Sequence, residues 1–473
     1  MGDECRESKG LGTHQQPGGD DESSCQETPN DNQQSLRDEI DELEKRLHVL
    51  HMRLREGDET RKKDGERIPA RSWDTVHHGL DRYMVERYSR QIILPSFGVQ
   101  GQSNVSRGSV LVIGAGGLGS PALLYLAAAG VGRIGIVDRD CVELSNMHRQ
   151  VLHKEHTVGM YKTSSAKRSI LELNSSIQVE EYMDGFTPEN ALEIVDGYDV
   201  VLDASDNAPT RYLISDACCV AKKPLVSGAA IGTDGQLTVY CHGDDGPCYR
   251  CLYPTPPPAT SCARCSDAGV LGPAPGIIGT MQSMEVLKIL AGIGEVFSKK
   301  MLIMDALYSR YMVVTLRSKR ESCASCGETP EITRETLPLF DYCAFTGQPS
   351  PSDDAAPSLH LVEEKHRITV QDLAQRMHNP KHLVLDVRPS HHFDICSIPG
   401  SINAPMTSFD ASSVIVNMFE NGSYEEISVI CRRGNQSQKA LLELHKHGLH
   451  KAVDVIGGMQ AWSAHIDDDC PIY

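Results

Sequence analysis

The chain is short of positive charge. Its 46 lysines and arginines stand against 64 aspartates and glutamates over 473 residues, a formal net charge of −18. That shortage argues against a non-specific nucleic-acid surface, which needs basic groups to displace counterions from phosphate. Long apolar runs are missing too. The first residues, MGDECRESKG, are polar with no apolar stretch behind them, so no secretory signal is expected. The apolar segment 121–137 is broken by Gly130, Gly132 and Arg133 and is too short to span a bilayer. Neither a membrane nor a nucleic acid is therefore expected as a direct partner, and the cytosol is the expected compartment. In that reducing setting the sixteen cysteines read as metal ligands, nucleophiles or small buried hydrophobes rather than disulfides.

The length allows two or three domains, and a hydrophobic fraction of 40% is ordinary for globular ones. Residues 1–34 are rich in Gly, Asp, Glu, Gln, Ser and Asn and read as disordered. Leu36, Ile40, Leu43, Leu47, Leu50 and Leu54 follow at a/d spacing. This seam predicts a short helix, packed on its own domain or paired in a dimer coil; three heptads are marginal alone. Residues 56–72 are a charged linker, so 1–72 is tail plus helix. From about 80 to 326, short aliphatic runs alternate with helical patterns. SVLVIG (109–114), RIGIVD (133–138), DVVLDAS (199–205), PLVSGAAI (224–231) and GQLTVYC (235–241) read as strands, and 120–130 as a helix. The alternation predicts an α/β, doubly wound, Rossmann-like sheet. Residues 327–358 hold several Pro, Ser and Asp and read as a linker. The alternation restarts over 359–473 with LVLDV (383–387), ISVIC (427–431), a helix near 436–447 and AVDVI (452–456). That predicts a second, smaller α/β domain.

Gly114, Gly116 and Gly119 form GxGxxG directly after a strand and at a helix start. There the backbone can approach phosphate, and a helix N-terminus favours negative charge. Asp138 ends the next strand, where an acid binds ribose hydroxyls. Taken alone this pattern points to NAD. However, SNMHRQ (145–150) brings Asn146 and Arg149, and VGMYK brings Lys162. Such cations suit a triphosphate losing pyrophosphate better than a dinucleotide. SDN (205–207) adds Asp206, a candidate Mg²⁺ anchor or phosphate-orienting acid. Each of these residues alone would pass for a surface ion-pair partner; their joint placement at strand ends argues for a site.

With RYSRQIILPSFGVQGQ, the run GAGGLGSPALLYLAAAGVGRIGIVDRDCVELSNMHRQ, DASDN and the CxxC pairs, the stretch 83–326 resembles the ubiquitin-activating superfamily. It is most similar to the enzymes that adenylate sulfur-carrier proteins of molybdopterin and thiamine synthesis. The resemblance implies adenylation by ATP of the C-terminal glycine of a small ubiquitin-fold protein. It places ATP and Mg²⁺ on Gly114, Gly116, Gly117, Gly119, Asp138, Ser145, Asn146, Met147, His148, Arg149, Lys162, Asp206 and Asn207. It also implies a homodimer in which Arg90, within YSRQ, reaches the partner's phosphates. The chemistry is coherent: acyl-AMP gives a carboxylate a leaving group, and cations screen the approach of two anions.

CYRC (248–251) and CASC (323–326) fit a tetrahedral Zn²⁺ with four thiolates, and CARC (262–265) competes for the same role. Residues 254–275 are rich in Pro, Gly, Ala and Ser without regular pattern, and resemble the loop that crosses over the adenylate in this superfamily. The expected structural zinc, one per chain, therefore falls on Cys248, Cys251, Cys323 and Cys326. Cys265 is the expected catalytic thiol, with a bystander or an alternative ligand as the other reading; Cys262 has less claim to either role.

Cys431 follows an apolar strand and opens CRRGNQSQ ahead of a helix. Backbone N–H groups, a helix N-terminus, Arg432 and Arg433 should favour its thiolate. A Cys-based phosphatase would need arginine six positions on, and this chain has Ser437. LDVRPSHHFDICSIPGSINAP (385–405), the Cys431 loop and GGMQAW (457–462) resemble a rhodanese domain over 359–473. That resemblance implies Cys431 as persulfide carrier, with Asp386 and Arg388 as supports beside the loop. Related fused proteins often carry an acid near Gln436; its absence leaves substrate preference open. The order of the two domains resembles the eukaryotic molybdopterin-synthase adenylyltransferase/sulfurtransferase family. It implies two carriers, the small subunit of molybdopterin synthase and the ubiquitin-related modifier of tRNA 2-thiolation, with a cysteine desulfurase as sulfur donor. The rival is a conjugating-type activator passing a thioester onward, which has no need of a persulfide domain.

Overall fold

The computed structural model describes residues 46, 79–257, 269–347, 359–412 and 424–472. The seam at 36–54, apart from the helical, exposed Arg46, and the pair Cys262 and Cys265 lie outside them. After α1 (Arg82–Ile92) and α2 (Gly98–Arg107) comes the first half of a sheet: β1 (Ser109–Ile113), α3 (Gly119–Ala129), β2 (Arg133–Val137), α4 (Lys162–Leu173), β3 (Gln178–Tyr182), α5 (Ala191–Asp196) and β4 (Val200–Asp203). The second half is α6 (Ala208–Ala221), β5 (Leu225–Ile231), β6 (Asp234–Tyr240), the single turn α7 (Tyr249–Leu252), α8 (Pro273–Ala291), β7 (Lys300–Asp305) and β8 (Arg310–Thr315). The strand order is β3-β2-β1-β4-β5-β6-β7-β8. Neighbours from β3 through to β5 pair parallel, and β6 to β8 extend the sheet antiparallel. The order reverses direction at β1, which lies between β2 and β4.

The central strands are buried on both faces, which is why they read as unbroken aliphatic runs. Val110 and Val112 of β1 join Leu123 and Leu126 of α3 and Ile278 of α8 in one layer. Leu111 and Ile113 face the other way, with Tyr198 and with Tyr212 and Leu213 of α6. A helix can turn into β2 here because Gly130 takes φ +84 with the Tyr88 ring where a Cβ would be, 2.3 Å away.

The linker expected over 327–358 is corrected by its first part. Ile332, Leu337 and Tyr342 are buried in the second layer with Tyr212 and Tyr240. Tyr342, at the start of α9 (Tyr342–Thr346), donates its hydroxyl to Asp216 at 2.9 Å. Asp216 also takes Arg250 at 2.9 and 3.0 Å, a buried and fully engaged ion pair. Composition reads this stretch as a linker because its anchors are single side chains spaced among polar ones.

The C-terminal domain holds β9 (Arg367–Ile368), α10 (Val370–Arg376), β10 (His382–Asp386), α11 (Ser390–Phe393), β11 (Ile402–Asn403), β12 (Glu426–Ile430), α12 (Gln436–Lys446), β13 (Val453–Val455) and α13 (Gly458–His465). Its five strands are parallel in the order β11-β10-β12-β13-β9. Leu385 and Val429 pack under Leu441 and Leu444 of α12 on one face, and Val384, Ile430 and Val455 under Trp462 of α13 on the other. Thr369 and Asp372 form a reciprocal capping box at α10. Among the described residues no helix is long and apolar enough to cross a membrane.

Candidate active sites

The glycine turn sits at the carboxyl end of β1, and its glycines do different work. Gly114 has φ +101, and a Cβ there would lie 2.6 Å from the Ala204 carbonyl oxygen. At Gly119 a Cβ would lie 2.0 Å from the Gly114 oxygen, so only glycine lets α3 sit on the strand end. Gly117 faces Pro275 of α8 at 3.2 Å. Gly116 meets nothing nearer than Gln150 at 3.8 Å; packing does not demand a glycine there. His153 holds the turn from behind. Its Nε2 donates to the Ala115 carbonyl at 2.9 Å, and Nδ1 pairs with Ser165 Oγ at 2.9 Å. Burial lowers the pKa of this imidazole, and Lys162 acts in the same direction against the Ala115 bond.

Asp138 follows β2. Its Oδ2 accepts the Ala115 N–H at 2.7 Å and its Oδ1 the Asp140 N–H at 2.9 Å. Burial pushes this carboxyl up, opposed by Lys162. Lys162 opens α4, is 7% exposed, and donates to Asp140 Oδ2 at 2.7 Å. Burial pulls its ammonium down, but Asp138, Asp140 and Asp206 outweigh that and leave it above the ordinary lysine range. Arg149 closes SNMHRQ on itself: it donates to the Ser145 carbonyl at 3.1 Å and to Asn146 Oδ1 at 2.9 Å, and meets His148 Nε2 at 2.8 Å. Burial, then Arg149, pushes the His148 imidazole down. Ser145 donates to Glu143 at 3.0 Å, and Met147 is half-buried.

Asp206 follows β4 and is exposed, and its charge acts on both Lys162 and Arg211. Asn207 has a structural task, since its side-chain oxygen caps α6 by accepting the Thr210 N–H at 3.0 Å. Arg90 is exposed on α1. Among the described residues no hydrogen bond or ion pair ties it to this group. Sequence reasoning missed Asp140, His153 and Arg211. Arg211 donates to the carbonyls of Ser205 and Gly228, both at 2.8 Å, and so joins the ends of β4 and β5. Asp140 lies inside the quoted run, two residues past Asp138, and could have been found; the other two carry no motif.

Cys248, Cys251, Cys323 and Cys326 converge, with all four sulfurs within 4.8 Å of one another. Cys248 to Cys323 is 3.5 Å and Cys251 to Cys326 is 3.3 Å. A tetrahedral zinc tetrathiolate has sulfur–sulfur edges of about 3.8 Å, so the donor set fits a metal of that kind. Cys219 and Cys241, 2.9 Å apart, pack beside it and were not singled out by spacing.

In the second domain Cys431 is 3% exposed, at the mouth of β12. Its Sγ accepts the Gly434 N–H at 3.1 Å. The loop is clasped by the GGMQ segment: Met459 N–H donates to the Cys431 carbonyl at 2.8 Å, and Gln460 N–H to that of Arg432 at 3.0 Å. A Cβ at Gly458 would lie 2.2 Å from the Cys431 oxygen. Asp386 and Arg388 form a buried pair in which Arg388 Nε reaches both carboxylate oxygens at 3.0 and 2.9 Å. Asp386 is in register with Ile430, next to Cys431.

Residues 88–325 match the ThiF family, and residues 369–465 match the rhodanese-like domain. An adenylyltransferase and sulfurtransferase of Zea mays, MOCS3-1, is 51% identical over 393 residues, 82% of this chain and 84% of that protein. The adenylyltransferase and sulfurtransferase MOCS3 of Arabidopsis thaliana is 46% identical over 410 residues, 84% of this chain and 87% of its own length. Among solved structures, E. coli MccB with succinimide aligns at 24% identity and a TM-score of 0.46 over 51% of this chain and 74% of that one, too distant to carry an argument. The two family matches fall on the two sheets, the first bearing the glycine turn and the second bearing Cys431. On identity sustained over four-fifths of its length, the chain belongs to the adenylyltransferase and sulfurtransferase family of these plant proteins, and its activities are adenylation and sulfur transfer.

Proposed function

We propose that the chain uses ATP to adenylate the C-terminal glycine of a ubiquitin-fold carrier and then converts that carboxylate to a thiocarboxylate with sulfur carried on Cys431. One observation carries the reading. The glycine turn, Asp138 with Lys162 and Asp140, and Asp206 stand at the carboxyl ends of β1, β2 and β4, where the strand order reverses. Open α/β sheets bind nucleotides at that point. Main-chain N–H groups at Gly116 and Gly117 serve phosphate oxygens, while Gly114, whose own N–H donates to the Val137 carbonyl at 2.8 Å, makes the turn and Gly119 brings the helix N-terminus close. Asp138 takes the ribose. Asn146, Arg149 and Lys162 screen the α-phosphate as the carboxylate attacks, with Ser145, Met147, His148 and Asn207 lining the same rim. Lys162 is held by Asp140 until phosphate competes for it. Asp206 is the residue that would hold Mg²⁺, which would supply charge neutralisation for the departing pyrophosphate.

Zn²⁺, one per chain, is the proposed structural metal of the four convergent cysteines. Arg90 acts on the partner protomer's phosphates in a homodimer. Cys265 is the proposed second thiol: it resolves an acyl-disulfide on Cys431 or first holds the carrier as a thioester. The proposed carriers are the small subunit of molybdopterin synthase and the ubiquitin-related modifier used in tRNA wobble-uridine 2-thiolation. The proposed sulfur donor is a cysteine desulfurase, and the proposed compartment is the cytosol. ATP–pyrophosphate exchange with candidate ubiquitin-fold proteins, followed by intact mass of the carrier after a sulfur donor is added, tests the reading. One sulfur in place of one oxygen is expected. Exchange that no ubiquitin-fold protein stimulates would sink it.

A further inference from the structure

Gln438 lies in the first turn of α12, is wholly buried, and has no task in the sulfur-transfer reading. Its side-chain amide is nonetheless engaged on three sides. Nε2 donates to the Gly434 carbonyl at 2.7 Å and to the Leu359 carbonyl at 2.6 Å. Oε1 accepts the Leu361 N–H at 2.8 Å. Both amide hydrogens are thus spent, one on the loop that carries Cys431 and one on the segment 359–361 ahead of β9. Asn435 makes a second tie between the same two stretches, its Oδ1 accepting the Leu359 N–H at 2.9 Å. The partners are 76 to 79 residues apart in sequence, so the pairing belongs to the folded domain and not to a local turn. Buried amides are kept with their partners because leaving one unpaired is costly.

Gly434 is the residue this arrangement holds. Its N–H donates to Cys431 Sγ at 3.1 Å. Its φ of +84 lies in the left-handed region, and a Cβ there would lie 3.0 Å from the Gly457 nitrogen. The position therefore falls to glycine, which has no side chain to restrain its own backbone. The bond from Gln438 supplies the restraint. With the Gly434 carbonyl fixed on one side of its Cα, the N–H on the other side keeps its aim at the sulfur. We propose that Gln438 is a positioning residue for sulfur transfer at Cys431, and that the segment 359–361 is the outer support through which it acts. The main chain of Leu359 and Leu361 holds the amide, the amide holds the Gly434 carbonyl, and the Gly434 N–H meets the reacting sulfur. Arg432 and Arg433 bring charge to the same loop. Gln438 carries none, so its part is aim and not field.

The inference rests on Cys431 being the sulfur-carrying thiol, and the measurement reads that thiol directly. The full chain would be mixed with thiosulfate for a single turnover, and the Cys431 peptide weighed for one added sulfur. In that step the Cys431 sulfur bonds to the outer sulfur of thiosulfate, the sulfur–sulfur bond of thiosulfate breaks, and sulfite leaves with the electron pair. A series of thiosulfate concentrations separates the maximal rate from half-saturation. Gln438→Met nearly keeps the volume and removes every hydrogen bond of the side chain. It is expected to lower the maximal rate roughly tenfold and to leave half-saturation within about twofold. Leu361→Pro removes one N–H outside the loop and should slow the step by about threefold. Leu361→Ala, which keeps that N–H, should act far less. An unchanged maximal rate in a folded Gln438→Met, even beside a lower melting temperature, would make Gln438 a packing residue and overturn the proposal. So would Leu361→Ala slowing the step as much as Leu361→Pro. If Gln438→Met does not fold, the two Leu361 variants decide. Failure of the sulfur-carrier reading would show separately, in the wild type, as a Cys431 peptide that gains no sulfur, and would end the proposal with it.

Discussion

Two residues beside the glycine turn separate chemistry from support. Asp206 is exposed at the end of β4, caps nothing, and its charge acts on Lys162. Asp206→Ala is therefore expected to lower ATP–pyrophosphate exchange roughly 100-fold. Thiosulfate sulfurtransfer by the same protein should stay near wild type, and exchange near wild type would remove Asp206 from the site. His153 touches no expected substrate atom, yet it fixes Ala115 inside the turn. Its folded-state pKa lies below the unfolded value of about 6.5, so the unfolded chain binds the extra proton. The stability it lends is complete above about pH 6.5 and is lost as pH falls below that toward the folded value. Melting temperatures between about pH 7.5 and 5.5 are expected to fall less steeply in His153→Gln than in the wild type. Equal slopes would show that His153 is not the group being protonated.

At the scale of elements, what can be read from sequence follows burial. β1 and β4 are buried throughout and stand out as aliphatic runs. β3, QVEEY, and β8, RYMVVT, are the two edges of the eight-stranded sheet; β3 is half polar and β8 exposed at every position, and neither was foreseen. The same logic explains the site. Gly114, Gly119 and Asp138 lie in one short motif whose spacing is set by local backbone, whereas His153 reaches Ala115 from 38 residues away. The segment around Ile332, Leu337 and Tyr342 was unreadable because each anchor depends on a cavity built by α6. The cysteine cluster was readable because CxxC is a local geometry repeated twice. It ties α7, which follows β6, to the chain beyond β8. If the four cysteines hold the proposed zinc, Cys323→Ser is expected to lose it and to lower the melting temperature by about 10 °C or more, since metal affinity would then be folding energy. Metal analysis beside calorimetry checks it. Full metal content in Cys323→Ser, with loss in Cys262→Ser, would reassign the pairs.

Across the whole molecule, the question is whether two chemistries on one chain are one reaction. Cys431 sits in a parallel sheet with its own two apolar layers, so its loss should leave the first sheet intact. Cys431→Ala is expected to keep ATP–pyrophosphate exchange and to form acyl-AMP on the carrier, but no thiocarboxylate. In the proposed reaction a persulfide on Cys431 would attack the acyl carbonyl, AMP would leave with its electron pair, and an acyl-disulfide would join carrier and enzyme. A second thiol must then attack the Cys431 sulfur to release the carrier as a thiocarboxylate. If that thiol is Cys265, Cys265→Ala should accumulate carrier joined to Cys431 by a bond that reductant cleaves. If Cys265 instead holds the carrier first as a thioester, the same variant should stall at acyl-AMP. Trapping without reductant, followed by peptide mapping, separates the two outcomes. Thiocarboxylate formed at the wild-type rate by Cys265→Ala, with no reductant added, would take Cys265 out of the reaction and leave Cys431 to find its second thiol elsewhere.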